Sequence, residues 1–202
     1  MPSETADVVV LKCRAPLPAP DQTVDALTEA ARSQNLPAAA VTVNLSLDGG
    51  ELYVYLWLRE ATHVERGPLA RALAVATGVA EVEAARYVRL QDIRGGSHGA
   101  TAAFHYVVET DVVPEAEADL NDWYDQEHLP GLAAVPGAIR AQRLRNLDGA
   151  PRYHSCYELV TTETLGSAPW LAVRHTAWSD RVRPNFRNTK RTMFSRVAQR
   201  ML

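Results

Sequence analysis

Residues 41–58 read Val-Thr-Val-Asn-Leu-Ser-Leu-Asp-Gly-Gly-Glu-Leu-Tyr-Val-Tyr-Leu-Trp-Leu, and their pattern is the strongest indicator of the fold. Aliphatic residues alternate with polar ones before the glycines and with Tyr53, Tyr55 and Trp57 after them. A period of two around an Asp-Gly-Gly turn is typical of a β-hairpin, which we predict over 39–47 and 51–58. We expect its aliphatic face to pack under helices. The aromatic face suits a pocket wall or a contact between sheets.

This hairpin lies within an order of elements that occurs twice. The first copy predicts a strand at 7–14, a helix at 23–33, the hairpin, a helix at 69–77 and a strand at 85–93. The second predicts a strand at 102–110, a helix at 115–133, strands at 138–146 and 152–160, a helix at 163–178 and a strand at 188–197. The turn Leu47-Asp48-Gly49 recurs as Leu147-Asp148-Gly149. We therefore predict an α+β fold of two ferredoxin-like units, 1–94 and 100–202, each with a four-stranded antiparallel sheet and both helices on one face.

The composition is that of an ordinary globular protein. The 202 residues are 47% hydrophobic and 22% charged, with a formal net charge of -3. Apolar runs are too short for a membrane span, and residues 1–4 lack the features of a signal peptide, so we expect a cytoplasmic protein that binds neither membranes nor nucleic acid. Cys13 and Cys156 suggest neither a disulfide framework nor a zinc site, and we expect both to be buried in strands.

A second informative stretch, 121–130, reads Asn-Asp-Trp-Tyr-Asp-Gln-Glu-His-Leu-Pro. A regular helix would place Asn121, Asp125 and His128 on one side and Trp123 at a buried edge. A carboxylate three residues before a histidine can orient the imidazole and raise its basicity, as general acid–base catalysis requires. The alternative is a helix anchored by Trp123 whose charged residues are only solvated.

From about residue 101 to 194 the sequence resembles the dimeric α+β-barrel superfamily, in particular its EthD-like branch. The resemblance rests on 121–128, on Pro136-Gly137, on Tyr-His-Ser-Cys-Tyr-Glu-Leu at 153–159 and on Asn-Thr-Lys-Arg-Thr-Met-Phe at 188–194. It implies two four-stranded sheets that face each other around ligand space. Most relatives build this from two chains, so the repeated order implies a tandem version, an internal pseudo-dimer, with a homodimer as a further alternative. Helix 23–33 has no Trp, Tyr or His, so we expect a degenerate first unit.

The resemblance implies a pocket but leaves the reaction open, because similar folds support many reactions. We expect a cofactor-independent cyclase, isomerase or oxygenase that acts on a hydrophobic aromatic or polyketide-like substrate of secondary metabolism. His128 is the candidate general acid or base, and Asp125 is expected to orient it. The candidate substrate-binding residues are Trp123, Tyr124, Tyr153, Asn188, Arg191, Tyr55 and Trp57. Of these, Arg191 or Asn188 would bind a developing enolate oxygen. The alternative is a non-catalytic ligand-binding or accessory protein.

We expect no cofactor and no metal. The chain lacks GxGxxG, GxxxxGK[ST], GxSxG and HExxH, which leaves dinucleotide-dependent redox chemistry, ATP hydrolysis, serine hydrolysis and zinc proteolysis unsupported. No histidine stands in a setting diagnostic of a haem ligand. A metal site at His128 with Asp125, Glu127 or His154 is a weaker alternative, because such spacings arise by chance. His105 and His154 lie on predicted strands, where a structural role is expected.

Overall fold

The computed structural model describes residues 4–14 and 19–202. Residues 1–3, which entered the argument against a signal peptide, lie outside this part of the chain. The strands are β1 (Ala6–Cys13), β2 (Ala38–Ser46), β3 (Leu52–Thr62), β4 (Glu83–Arg94), β5 (Phe104–Val112), β6 (Ala138–Asn146), β7 (Tyr153–Leu159) and β8 (Phe186–Met201). The α-helices are α1 (Pro20–Ser33), α2 (Arg66–Thr77), α3 (Glu117–Trp123), α4 (Leu129–Ala133), α5 (Ala168–Arg174) and α6 (Ala177–Val182).

These elements form two compact units. The first unit contains the described residues up to Arg89, together with Asn146–Gly149 and Phe194–Leu202. The second unit contains Leu90–Arg145 and Ala150–Met193. Each unit follows the β-α-β-β-α-β order, which confirms the predicted α+β fold of two ferredoxin-like units. The division into domains at 1–94 and 100–202, and the internal pseudo-dimer, stay predictions.

The first unit has an antiparallel sheet in which β3 lies between β1 and β2. Strand β4 pairs with β1, and the last part of β8 pairs with β2. The predicted hairpin has the expected register, with Val41 opposite Leu56 and Val43 opposite Val54. These aliphatic residues join Leu27 of α1 in one buried cluster. The prediction that the aliphatic face packs under the helices is therefore confirmed.

The second unit has β7 between β5 and β6, both antiparallel to it. Its core is built around aromatic side chains, which include Trp123 of α3, Trp170 of α5 and Tyr157 of β7. Its two helical connections are interrupted. The first consists of a 3-10 turn at Pro114–Ala116, α3, a π-helical turn at Tyr124–His128, and α4. The second consists of 3-10 turns at Thr162–Thr164 and Arg183–Asn185 that flank α5 and α6.

Two outer strands are longer than predicted. Strand β4 has 12 residues and β8 has 16 residues. At about 3.3 Å per residue, β8 spans about 50 Å. Residues of both strands are accordingly divided between the two units. This differs from the expectation of four separate strands for each unit.

Candidate functional site

The π-helical turn at Tyr124–His128 determines where the side chains of the 121–130 motif point. A π-helix makes i→i+5 hydrogen bonds, whereas an α-helix makes i→i+4 bonds, so residues five apart come to share a face. Trp123 and His128 are five apart, and their rings stack with centroids 4.0 Å apart and an interplanar angle of 20°. At about 100° per residue, a regular α-helix would place these two rings on nearly opposite faces.

His128 is buried and uncharged. Only 7% of the residue is exposed, and the ring of Tyr124 meets it edge-on at 5.2 Å. Its Nδ1 is inaccessible to solvent and has no hydrogen-bond partner. The pKa of His128 is lowered to about 3, mainly by burial and in addition by the positive charges of Arg174 and Arg143. The imidazole is therefore neutral at physiological pH and can accept a proton or a hydrogen bond.

A small cavity lies beside His128, and we call it the His128 cavity. Its volume is about 30 Å³, which is room for about one water molecule. Its lining combines aromatic rings, aliphatic side chains and arginines, and includes no carboxylate: Tyr106, Val108, Trp123, Tyr124, His128, Leu132, Tyr157, Trp170, Arg174, Arg183, Phe186 and Arg191. The enclosed space can take an oxygen atom or a small group but not an aromatic ring.

The phenols in this cavity are also neutral. Burial raises the pKa of Tyr157 well above its usual value. Burial likewise raises the pKa of Tyr106, although the charges of Arg191 and Arg174 oppose the rise. Both hydroxyls therefore keep their protons at physiological pH. A neutral imidazole, neutral phenols and cationic guanidinium groups favour a bound oxyanion over a bound cation.

Hydrogen bonds from α6, and from Thr176 just before it, hold the helix that carries the 121–130 motif. Trp123 Nε1 donates to Glu127 Oε1 over 3.1 Å, and Thr176 Oγ1 donates to the same oxygen over 2.5 Å. Trp178 Nε1 and the Arg181 guanidinium both donate to Asp119. Glu127 and Asp119 are therefore structural anchors of the helix.

Asp125 lies in a different place from His128. It is an exposed residue that lines a separate, open groove of about 700 Å³, which we call the Arg143 groove. The Asp125 carboxylate lies 4.0 Å from Arg143 Nη1. No hydrogen bond joins it to His128. The predicted pairing assumed an α-helical register, and the π-helical turn rotates His128 away from the side that carries Asn121 and Asp125.

Arg143 of β6 is the central side chain of this groove. It is 1% exposed, and its guanidinium lies 4.2 Å from the Tyr124 ring centroid and 4.4 Å from that of Tyr153. It donates to Asn121 Oδ1 over 2.8 Å, while its Nε has no partner. Tyr153 donates through its hydroxyl to Glu117 over 2.6 Å. Cation–π contact and one strong hydrogen bond thus hold a buried cation.

The remaining predicted site residues are dispersed. Arg191 lines the His128 cavity with Trp123 and Tyr124. Asn188 is exposed, has a φ of 50°, and donates to Asp111 Oδ2 over 3.0 Å. Tyr55 and Trp57 belong to the first unit, where their rings stack at 5.4 Å and Trp57 Nε1 donates to Thr42. The structure therefore gathers four of the nine predicted residues, including His128, around one cavity.

Arg143, Arg174 and Arg183 were not among the predicted site residues. A signal existed for Arg143, because it lies opposite Ser155, on the same face of β7 as Tyr153 and Tyr157. Strand parity alone therefore places this arginine among aromatic rings. For Arg174 and Arg183 no local signal exists, because their positions depend on where the second helical connection is interrupted.

Other predictions concern groups outside these two sites. Cys13 and Cys156 are free thiols buried in strands, as predicted. His154 Nδ1 lies 3.6 Å from Glu109 Oε1 on β5, which agrees with a structural role. Within residues 4–14 and 19–202, no group of three or more His, Cys, Asp or Glu side chains is placed to hold a metal ion. In the same part of the chain, no helix has the length and apolar character needed to cross a membrane.

No protein-family model and no curated protein matches the chain. Solved structures do resemble it. A proposed monooxygenase from Fusobacterium nucleatum subsp. nucleatum has a TM-score of 0.63 at 11% identity and covers 100% of this chain and 96% of its own. A proposed monooxygenase from Lactobacillus acidophilus has a TM-score of 0.61 at 9% identity, with coverage of 97% and 96%. An anthrone oxidase-like protein has a TM-score of 0.57 at 15% identity, with coverage of 98% and 93%. At these identities the likeness establishes the ferredoxin-like fold alone.

Proposed function

We propose that this protein is a small-molecule enzyme of the oxygenase type, in which His128 removes a proton from an aromatic substrate. The observation that carries the proposal is the neutral, buried imidazole of His128, whose Nδ1 has no hydrogen-bond partner and which lines an aromatic cavity. The neutral form is the one that can act as a proton acceptor. Among similar structures, one is anthrone oxidase-like and two are proposed monooxygenases.

The reaction that fits is oxidation of an acidic CH2 group flanked by aromatic rings. His128 takes one proton, and the resulting carbanion transfers electrons to O2, which is the co-reactant. The CH2 group and one O2 give a carbonyl group and one water molecule, so both hydrogens leave in the water. General acid–base help contributes about 10²- to 10⁴-fold, and stabilisation of the developing anion must supply much of the remaining rate.

The depressed pKa of His128 requires the substrate anion to stay close. An imidazole with a pKa of about 3 is a weak base in the empty cavity. The charge of a substrate anion opposes those of Arg174 and Arg143, which are two of the causes of the low pKa. Deprotonation of the substrate and protonation of His128 therefore support each other as an ion pair. The arginines also lower the pKa of the substrate, since they favour its anionic form.

The alternative proposal is a non-catalytic ligand-binding or accessory protein. The specific observation in its favour is the small volume of the His128 cavity, about 30 Å³. An aromatic ring would have to remain at the mouth and place only a substituent inside. Binding without turnover needs no base, so this alternative predicts that replacement of His128 changes affinity but no reaction rate.

We also propose, at a finer level, an EthD-like, tandem protein of the dimeric α+β-barrel superfamily that acts in the cytoplasm on a polyketide-like substrate. The motifs at 121–128, 153–159 and 188–194 support this assignment. The repeated β-α-β-β-α-β order supports a tandem origin. Cyclase or isomerase chemistry would use the same proton transfer at His128 without consuming O2.

The test is O2 uptake by the purified protein with anthrone as the probe substrate. We expect His128→Ala to lower the rate by about 10²-fold or more with little change in melting temperature. The control is His98→Ala, which removes an exposed histidine of the same unit and should keep the wild-type rate. Full activity of His128→Ala, or a loss of folding that accounts for its inactivity, would contradict the proposal.

A further inference from the structure

Three arginines surround the His128 cavity. Arg174 ends α5, Arg183 begins the 3-10 turn that follows α6, and Arg191 lies in β8. All three line the cavity and belong to the second unit. Arg183 Nη1 donates to the backbone carbonyl of Arg174 over 3.3 Å, so these two residues are held together at one side of the mouth.

Their charges are not balanced by carboxylates. The cavity lining contains no Asp or Glu. Among the described residues, none of the three guanidinium groups has an ion-pair partner, whereas other arginines of the second unit do. The paired arginines of the second unit include Arg140 with Asp92, Arg152 with Glu117, and Arg181 with Asp119. Three uncompensated cations around one cavity indicate a site for a negative group.

Two of the three charges, those of Arg174 and Arg191, act on interior groups of the cavity. The charge of Arg174 contributes to the lowered pKa of His128, after burial, which is the main cause. The charges of Arg191 and Arg174 both act on Tyr106, where they oppose the effect of burial. Electrostatic influence of this kind falls steeply with distance. Arg174 and Arg191 therefore project their field onto the cavity, where a ligand would meet both.

We propose that the ligand of the His128 cavity is an aromatic carboxylate, whose carboxylate group is bound by Arg174, Arg183 and Arg191. This inference deepens the proposed function and rests on it for the choice of cavity. Guanidinium groups match the planar, two-oxygen geometry of a carboxylate. The aromatic body is too large for the cavity and stays at its mouth, against the half-buried ring of Phe186. The ligand is held there with its carboxylate at the arginines.

Calorimetric titration with a matched pair of probes tests this inference. The probes are 2-naphthoate and 2-naphthamide, which share shape and differ in charge. We expect naphthoate to bind at least about tenfold more tightly, because hydrogen bonds between two charged groups are stronger than hydrogen bonds to a neutral amide. Arg191→Gln and Arg174→Gln should each weaken naphthoate binding by about tenfold and leave naphthamide binding unchanged.

Arg145→Gln is the control for the arginine variants. It makes the same charge change in the same unit, but Arg145 lines the Arg143 groove. We expect its affinity for naphthoate to equal that of the wild type. A loss confined to Arg145→Gln would place the anion site in the groove and overturn the inference. Equal affinity for the two probes, tighter binding of 2-naphthyl phosphate than of naphthoate, or no naphthoate binding at millimolar concentration would also overturn it.

A second readout separates this inference from the proposed function. Bound naphthoate should raise the pKa of His128, followed by NMR of its ring protons, because a nearby negative charge favours the imidazolium. Naphthamide should not. Binding does not require turnover, so arginine-dependent naphthoate binding together with no O2 uptake from anthrone would sustain the ligand class while the oxygenase proposal fails. O2 uptake from anthrone without arginine-dependent naphthoate binding would support the oxygenase proposal and overturn the proposal that the ligand is a carboxylate.

Discussion

The two units follow the same order of elements but differ in their helices and cores. In the first unit, α1 and α2 are continuous helices of 14 and 12 residues over an aliphatic cluster. In the second unit, the corresponding connections are divided among short α, 3-10 and π segments, and the core contains Trp123, Trp170 and several tyrosines. Regular helices let small aliphatic side chains interlock. Interrupted helices turn large and polar side chains inward. The His128 cavity and the Arg143 groove both lie in the second unit, which has these interrupted helices.

Replacement of Trp123 should have the largest effect on the second unit. Trp123→Ala removes a side chain that is 1% exposed and should lower the free energy of unfolding by about 3–5 kcal/mol. It should also raise the pKa of His128, because the stacked ring that shields the imidazole is lost. The measurements are urea denaturation and NMR titration of His128.

Leu27→Ala is the matched change in the first unit. It removes a buried leucine side chain, so it should lower the free energy of unfolding by about 2–5 kcal/mol. It should leave the pKa of His128 unchanged, because Leu27 lies in the first unit. An unchanged pKa in Trp123→Ala would show that the stacking contact does not control the histidine.

The second prediction concerns acid stability. The pKa of His128 is about 3 in the folded protein, below the value of about 6.5 expected after unfolding. As pH falls from 6.5 towards 3, the unfolded chain therefore takes up a proton that the folded chain does not. Stability should fall by about 1.4 kcal/mol per pH unit from this residue, or about 2–3 kcal/mol between pH 6.5 and 4.5.

The variant His128→Asn should lack this acid-induced loss of stability, because asparagine does not titrate in this pH range. The difference in unfolding free energy between wild type and variant should be constant above pH 6.5 and should shift steadily in favour of the variant at lower pH. Urea denaturation at several pH values measures it. Parallel profiles for the two proteins would show that His128 is not protected from protonation.

The third prediction compares two turns with the same Leu-Asp-Gly sequence. Asp148 is nearly buried and accepts hydrogen bonds from the backbone and guanidinium of Arg86, including one of 2.7 Å from Nη2. Asp148→Asn should therefore lower the free energy of unfolding by about 1–3 kcal/mol. Asp48 is exposed and makes local bonds to Ser46 and Gly50, so Asp48→Asn should cost less than about 1 kcal/mol. Chemical denaturation checks both, and equal costs would contradict the prediction.

The smallest effect is expected at Asp125. Its carboxylate is exposed beside Arg143 and is not joined to His128 by a hydrogen bond. Asp125→Asn should thus change O2 uptake with anthrone by no more than about fivefold, the range of an exposed ion pair. A loss as large as that of His128→Ala would restore the pairing of Asp125 with His128 that a regular helix implies.

The fold could be predicted because short segments of the sequence carry the patterns that specify its strands and turns. Alternation in the 41–58 hairpin and turn residues at regular intervals specify strands and their faces, and the register agrees with them. The position of His128 in a cavity could also be expected from the density of aromatic residues around it. What could not be predicted was the direction of each side chain on the motif helix, because a π-helical turn leaves no periodic mark in a stretch of ten residues.

The arginines illustrate a second limit. Arg191 was singled out by its motif, whereas Arg174 and Arg183 reach the same cavity from the interrupted second connection. Their positions follow from the tertiary arrangement of α5 and of the 3-10 turn after α6. Helix interruptions are weakly encoded, since tertiary packing overrides local propensity. The chemistry of the site thus depends on the part of the fold that sequence patterns describe least well.

The π-helical turn also fixes the spacing that the motif needs. In an α-helix the residue one turn beyond Trp123 is four positions on, and that residue, Glu127, accepts a hydrogen bond from the indole nitrogen. The wider turn adds a partner five positions on, so that the imidazole of His128 lies on the face of the same indole. One tryptophan side chain therefore holds an acid at its edge and a neutral proton acceptor on its face. Loss of one residue between Trp123 and Glu127 would place the histidine four positions after the tryptophan, in the position from which Glu127 now accepts its hydrogen bond.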